Sequence, residues 1–181
     1  MDAAVMRGKF FAAASAGLLF LILIFLVRNV DVAAIGPEGT SVGLSQINQA
    51  VSDWFGVNFA WYDITEVLGY AALLVALGFA LTGLVQLLRR KSFGRIDKPI
   101  LALGILYVCV FAVYALFEVL VVNYRPIVMP GDAFPEASFP SSHTMLAFTI
   151  LGSTAILLKR FVANRGIRIA AQALCVAVIA V

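Results

Sequence analysis

Long runs of mostly apolar residues constrain this chain more than any other feature. They cover about 10–27, 69–88, 100–122 and 141–158, and a fifth run starts at Gly166. A helix needs about 20 residues to cross a hydrocarbon core of roughly 30 Å, and a backbone in lipid must satisfy its own hydrogen bonds. The sequence therefore predicts an all-α fold, a polytopic transmembrane helical bundle with about five spans.

The overall composition agrees with a membrane protein. Of the 181 residues, 62% are hydrophobic and 13% are charged, whereas soluble domains have about 45–50% apolar and about 25% charged residues. The first run is longer than the apolar region of a typical signal peptide and lacks a clear small-x-small cleavage site, which indicates an anchor. The last run, from Gly166 to Val181, would reach only about 24 Å as a helix. We therefore expect one transmembrane domain over 1–181, truncated at its C-terminus, with a sixth span missing.

The basic residues alternate between the links, and this pattern predicts orientation. Basic side chains lie before the first run and in two of the links: Arg7, Lys9, Arg89, Arg90, Lys91, Arg95, Lys98, Lys159, Arg160, Arg165 and Arg168. The other two links hold only Arg28 and Arg125. Because cytoplasmic links are enriched in Lys and Arg, the pattern predicts a multi-pass plasma-membrane protein with a cytoplasmic N-terminus. Segments 28–68 and 123–140 would then lie outside.

The first external segment is predicted to contain one short helix. Apolar residues between Ser45 and Phe55 recur at near-helical spacing, which favours an amphipathic helix on the membrane surface. Trp54, Trp61 and Tyr62 suit an interfacial aromatic belt. A structural cap over the bundle is favoured over contact with a substrate.

The second external segment leads into a helix start that could bind an anion. It carries prolines at 126, 130, 135 and 140, which exclude a helix. Pro140 ends that segment, and Ser141 is a suitable N-cap for a helix that then contains Ser142 and His143. The free amide N–H groups and the positive end of the helix dipole favour a phosphate there.

Arg125 lies on the same predicted face and adds a planar fork of donors for phosphate oxygens. A phosphoester site is thus predicted from Arg125, Ser141, Ser142 and His143. The alternative is that the arginine and histidine only snorkel or cap helices. Asp132 and Glu136 are expected to be solvated or paired with arginine. We predict no metal, no cofactor and no nucleic-acid partner; Cys109 and Cys175 fit small hydrophobes.

Residues 118–143 resemble a known family. Glu118-x6-Arg125-Pro126 is similar to a Lys-x6-Arg-Pro motif, and Pro140-Ser141-Ser142-His143 is similar to Pro-Ser-Gly-His. The two family motifs belong to the type-2 phosphatidic acid phosphatase (lipid phosphate phosphatase) superfamily, the membrane relatives of vanadium haloperoxidases. The residues around the matching positions of this chain resemble a bacterial branch of that family. The family's third motif, Ser-Arg-x5-His-x3-Asp, does not occur in the chain.

The resemblance implies a role for each matching residue. Arg125, Ser141, Ser142 and the adjoining Pro140 would form the phosphate-binding site, and His143 would be the general acid that protonates the leaving oxygen. The family's nucleophile is a histidine of the third motif, which attacks phosphorus to give a phosphohistidine. The expected substrates are lipid phosphates, of the phosphatidic acid type or polyprenyl diphosphates such as undecaprenyl diphosphate, at the outer membrane face.

Two departures from the family bear on function. Glu118 replaces a lysine and is expected to modulate the site, for instance by a salt bridge that orients Arg125. His143 is the only histidine in the chain, so these 181 residues should not complete the double displacement. Besides the phosphatase, two alternatives remain open: a non-catalytic protein that binds or transports lipid phosphates, and a structural or assembly protein of the membrane.

Overall fold

A computed structural model describes residues 3–36, 39–128 and 132–181. Over these ranges the chain forms six α-helices: α1 Ala3–Asn29, α2 Ser45–Phe55, α3 Phe59–Arg90, α4 Lys98–Val119, α5 Ser142–Phe161 and α6 Arg165–Ile179. Two short antiparallel strands, β1 Ala33–Ala34 and β2 Ser41–Val42, precede α2, and a 3-10 turn, Phe93–Arg95, precedes α4. The predicted all-α class is confirmed.

Four of the helices in the described ranges have the length and apolar composition of membrane spans. They are α1, α3, α4 and α5. They correspond to the first four predicted runs and indicate a membrane-embedded protein. Helix α6 has 15 residues, about 22 Å at 1.5 Å per residue, which is shorter than a hydrocarbon core. The fifth span therefore stays a prediction, as does the membrane-surface position of α2.

Helix α3 begins at Phe59, not near residue 69 where the apolar run begins. Its extra turns start at Asn58, whose side-chain oxygen accepts a hydrogen bond from the amide of Trp61 at 3.3 Å. Trp61 and Tyr62 therefore lie in a helix rather than in an irregular segment. The hydropathy pattern missed these turns because residues 61–66 mix polar and aromatic side chains.

The described residues form two compact units. The first comes from 1–57 and 120–139, and the second from 58–119 and 140–181. The core of the second unit contains Ala72 of α3, Ile150 and Leu151 of α5, and Cys175 of α6. Polar bonds between helices add to this packing. The Tyr107 hydroxyl lies 3.1 Å from the Ser153 hydroxyl, and the Gln172 amide donates to the Ala155 carbonyl at 2.8 Å.

In the first unit, the two predicted external segments are hydrogen-bonded to each other. The side chain of Asn123 accepts from the amide of Gly43 at 2.7 Å and donates to the hydroxyl of Ser138 at 3.1 Å. The amide of Tyr124 donates to the carbonyl of Ser41 at 3.1 Å. Gly43 lies so close to α1 that a Cβ there would be 1.7 Å from the carbonyl oxygen of Val27. Only glycine fits this approach.

Candidate functional site

The first turn of α5 forms the centre of the candidate site. The Ser141 hydroxyl accepts the Thr144 amide at 3.3 Å and the Thr144 hydroxyl at 3.1 Å, so the predicted N-cap is confirmed. Pro140 precedes this cap and is half-buried. Among the residues that the structure describes, the amides of Ser142 and His143 have no acceptor. Two N–H groups at the positive end of a helix are thus available to an anion.

His143 opens into a pocket of about 240 Å³ within the second unit. The lining residues come from three helices: Glu66, Gly69, Tyr70, Leu73, Tyr114, Ser142, His143 and Leu146. The imidazole is half-buried, and within the described parts of the chain it makes no hydrogen bond. An imidazole without a partner, beside two available amides, can exchange a proton with a bound group.

Helix α3 supplies the side of the pocket that sequence reasoning missed. A Cβ on Gly69 would lie 3.2 Å from Cδ2 of His143, so the ring packs against the bare backbone of the helix. The Tyr70 hydroxyl donates to Glu66 Oε1 at 3.3 Å. The spacing of Glu66, Tyr70 and Leu73, which places them on one helical face, could have indicated this side. Only the fold brings it to His143.

Arg125 lies in the first unit and is held by the proline-rich link. Its guanidinium contacts the Glu136 carboxylate at 3.1 Å, and its amide donates to the Glu136 carbonyl at 2.8 Å. Tyr124 and Ala137 form a bridge next to this pair. The described residues of the link contain no helix, as its prolines predict. Glu136 therefore has one of its two expected roles, pairing with arginine, while Asp132 is exposed.

The structure gathers part of the predicted site. Pro140, Ser141, Ser142 and His143 are together at the start of α5, in the second unit. Arg125 belongs to the first unit, and its phosphate-binding role stays a prediction. Glu118 is exposed near the end of α4 and is not one of the described residues that line the pocket. Its predicted pairing with Arg125 also stays a prediction.

Within 3–36, 39–128 and 132–181, no group of three or more His, Cys, Asp or Glu side chains could hold a metal ion. Comparison of the chain with protein-family models, with curated proteins and with solved structures found no match. The resemblance to the lipid phosphate phosphatases thus rests on the residues between 118 and 143, and the function is argued from the chemistry of the site.

Proposed function

We propose that this protein is a membrane lipid phosphatase. It would hydrolyse a phosphomonoester or a diphosphate of a lipid, of the phosphatidic acid or polyprenyl type, at the outer face of the cell membrane. The observation that carries the proposal is the Ser141-capped start of α5. There, two amides that have no acceptor among the described residues adjoin an imidazole, and this imidazole opens into a pocket whose polar groups include Glu66, Tyr70 and Tyr114.

In this proposal the start of α5 binds the phosphate. The amides of Ser142 and His143 donate to its oxygens. The Ser141 oxygen accepts two hydrogen bonds from Thr144. Its O–H group can therefore donate a third hydrogen bond to the phosphate. Hydrogen bonds to a charged group contribute about 1.5–3 kcal/mol each. Arg125 would add two parallel donors, for which the phosphate would compete with the carboxylate of Glu136.

His143 is the proposed general acid. It would transfer a proton to the bridging oxygen as the P–O bond breaks, so that the lipid leaves as a neutral alcohol or as a lipid monophosphate. Imidazole suits this task because its protonation changes near neutral pH. The attacking group in the family that the chain resembles is a second histidine, which would form a phosphohistidine and then be released by water.

The charge pattern and the hydrogen bonds within the first unit support an extracytoplasmic position for the two linking segments. Asn123 and Gly43 belong to the two segments that the charge pattern assigns to the outer side. A direct bond between them requires both segments to lie on one side of the membrane. The proposal places the start of α5 on that side because Pro140 follows the second segment directly.

A second candidate function is binding or transport of lipid phosphates without hydrolysis. It is favoured by one observation: His143 is the only histidine in the 181 residues. Phosphate release separates the two candidates, because only the phosphatase converts the bound lipid phosphate to inorganic phosphate.

The direct experiment is phosphate release by the purified full-length protein from phosphatidic acid and from a polyprenyl diphosphate. His143→Ala should lower kcat about 10²–10⁴-fold, as expected for loss of a general acid. Arg125→Ala should lower kcat/KM about 10²–10³-fold. Thr82→Ala is the control, because that hydroxyl bonds only within α3.

Unchanged turnover in both variants would sink the assignment. Tight binding of either lipid without phosphate release would favour the second candidate instead.

A further inference from the structure

The imidazole of His143 packs against one turn of α3 that has no role in the resemblance. We propose that this turn, Glu66 to Tyr70, positions His143: the bare backbone of Gly69 sets the place of the ring, and the Glu66 carboxylate pairs with the protonated imidazole. The catalytic consequence rests on the proposed function, whereas the positioning itself does not.

The contact at Gly69 is tighter than an ordinary van der Waals contact would be for a Cβ atom. A Cβ there would lie 3.2 Å from Cδ2 and 3.9 Å from Nε2 of His143. The edge of the ring that carries these atoms therefore faces α3. Because His143 is in the first turn of α5, its side chain has few staggered alternatives. A methyl group at 69 must therefore move the ring.

Glu66 lies one turn before Gly69, on the same face of α3. Its carboxylate is held by the Tyr70 hydroxyl at 3.3 Å and lines the same pocket as the imidazole. The other titratable groups of that pocket are the phenols of Tyr70 and Tyr114. Glu66 is thus the one anionic side chain among the described residues that line the pocket with His143. An imidazolium forms its strongest hydrogen bonds with such a group.

This arrangement would assist proton transfer in a defined way. The carboxylate would hold the imidazolium in one orientation before the reaction, so that its other N–H points to the leaving oxygen. After the proton leaves, the neutral ring would stay against Gly69. Glu66 and Gly69 are therefore positioning residues, and the proton donor remains His143.

The test uses the fact that the chain has a single histidine. Full-length protein labelled with ¹³C,¹⁵N-histidine in detergent micelles gives one set of imidazole NMR signals. Gly69→Ala should shift these signals, whereas Gly78→Ala on the same helix should not, because nothing lies within 4 Å of a Cβ at 78. Glu66→Gln should also shift them, and Glu66→Asp should restore part of the wild-type position.

Kinetics add a second readout. Displacement of the ring by Gly69→Ala should lower kcat, with KM changed much less, and Gly78→Ala should match the wild type. If circular dichroism shows that Gly69→Ala does not fold, the imidazole signals of Glu66→Gln test the positioning role instead. Equal shifts of the imidazole signals in Gly69→Ala and Gly78→Ala would overturn the positioning role. The absence of a shift in both Gly69→Ala and Glu66→Gln would overturn it as well. A signal shift in protein that hydrolyses no lipid phosphate keeps the positioning role and overturns the phosphatase.

Discussion

At the scale of single residues, polar side chains fix where the helices begin. Ser141 caps α5 from the adjoining position, and Asn164 caps α6 in the same way, accepting the Ile167 amide at 3.1 Å. Asp31 acts from a distance. Its carboxylate accepts the Gln46 amide at 2.7 Å and the Ser45 hydroxyl at 2.9 Å. The start of α2 therefore depends on a carboxylate that follows α1.

The first prediction at this scale concerns the loss of stability at acidic pH. The Gln46 amide and the Ser45 hydroxyl hold the pKa of Asp31 below its ordinary value of 3.8. A lowered pKa stabilises the fold above the ordinary value, and this stabilisation is lost as pH falls through the lower, folded-state pKa. We expect the thermal midpoint of the wild type to decrease as the pH is lowered from about 5 to below the ordinary value of 3.8. Asp31→Asn should lose less over the same range.

Asp63→Asn is the control, because Asp63 makes no such bonds within the described ranges. The Arg90 side chain similarly lowers the pKa of Asp97, so some acid sensitivity should remain in every variant. Equal losses for wild type and Asp31→Asn would contradict the capping role of the charged carboxylate.

At the scale of elements, α3, α5 and α6 meet through small and medium side chains. Ala72 is 1% exposed and Ile150 is 2% exposed, and both pack with Cys175. Lipid is as apolar as these side chains, so close packing, rather than removal from water, holds such helices together. A small residue on α3 is what permits the close approach.

Ala72→Leu should therefore destabilise the helix packing by about 1–3 kcal/mol, the usual cost of extra atoms in a tight core. Ala71→Leu is a matched control, because the neighbouring Ala71 is exposed. Unfolding in detergent with added denaturant measures both. Equal midpoints for the two variants would show that Ala72 is not in a packed interface.

At the scale of the whole molecule, the basic side chains lie in alternate links between the apolar runs. The two links with few basic residues, 28–68 and 123–140, are hydrogen-bonded to each other. The prediction is that residue 133 is extracytoplasmic and residue 94 is cytoplasmic. In a background with Cys109→Ala and Cys175→Ala, Ala133→Cys should react with a membrane-impermeant maleimide in intact cells. Gly94→Cys should react only after permeabilisation. Labelling of both positions in intact cells would rule out the alternating arrangement.

The sequence by itself determined the all-α class, the approximate place of four apolar helices, the proline-bearing link without helix, and Ser141 as the cap of α5. These properties depend on hydropathy and on hydrogen bonds between neighbouring residues, so a local pattern carries them.

Only the tertiary structure decided which elements surround His143. The packing of its ring on Gly69 and the presence of Glu66 in its pocket join α5 to α3, and the bond from Gly43 to Asn123 spans 80 positions. Such contacts form because separate helices and loops pack together, and no spacing along the chain encodes them.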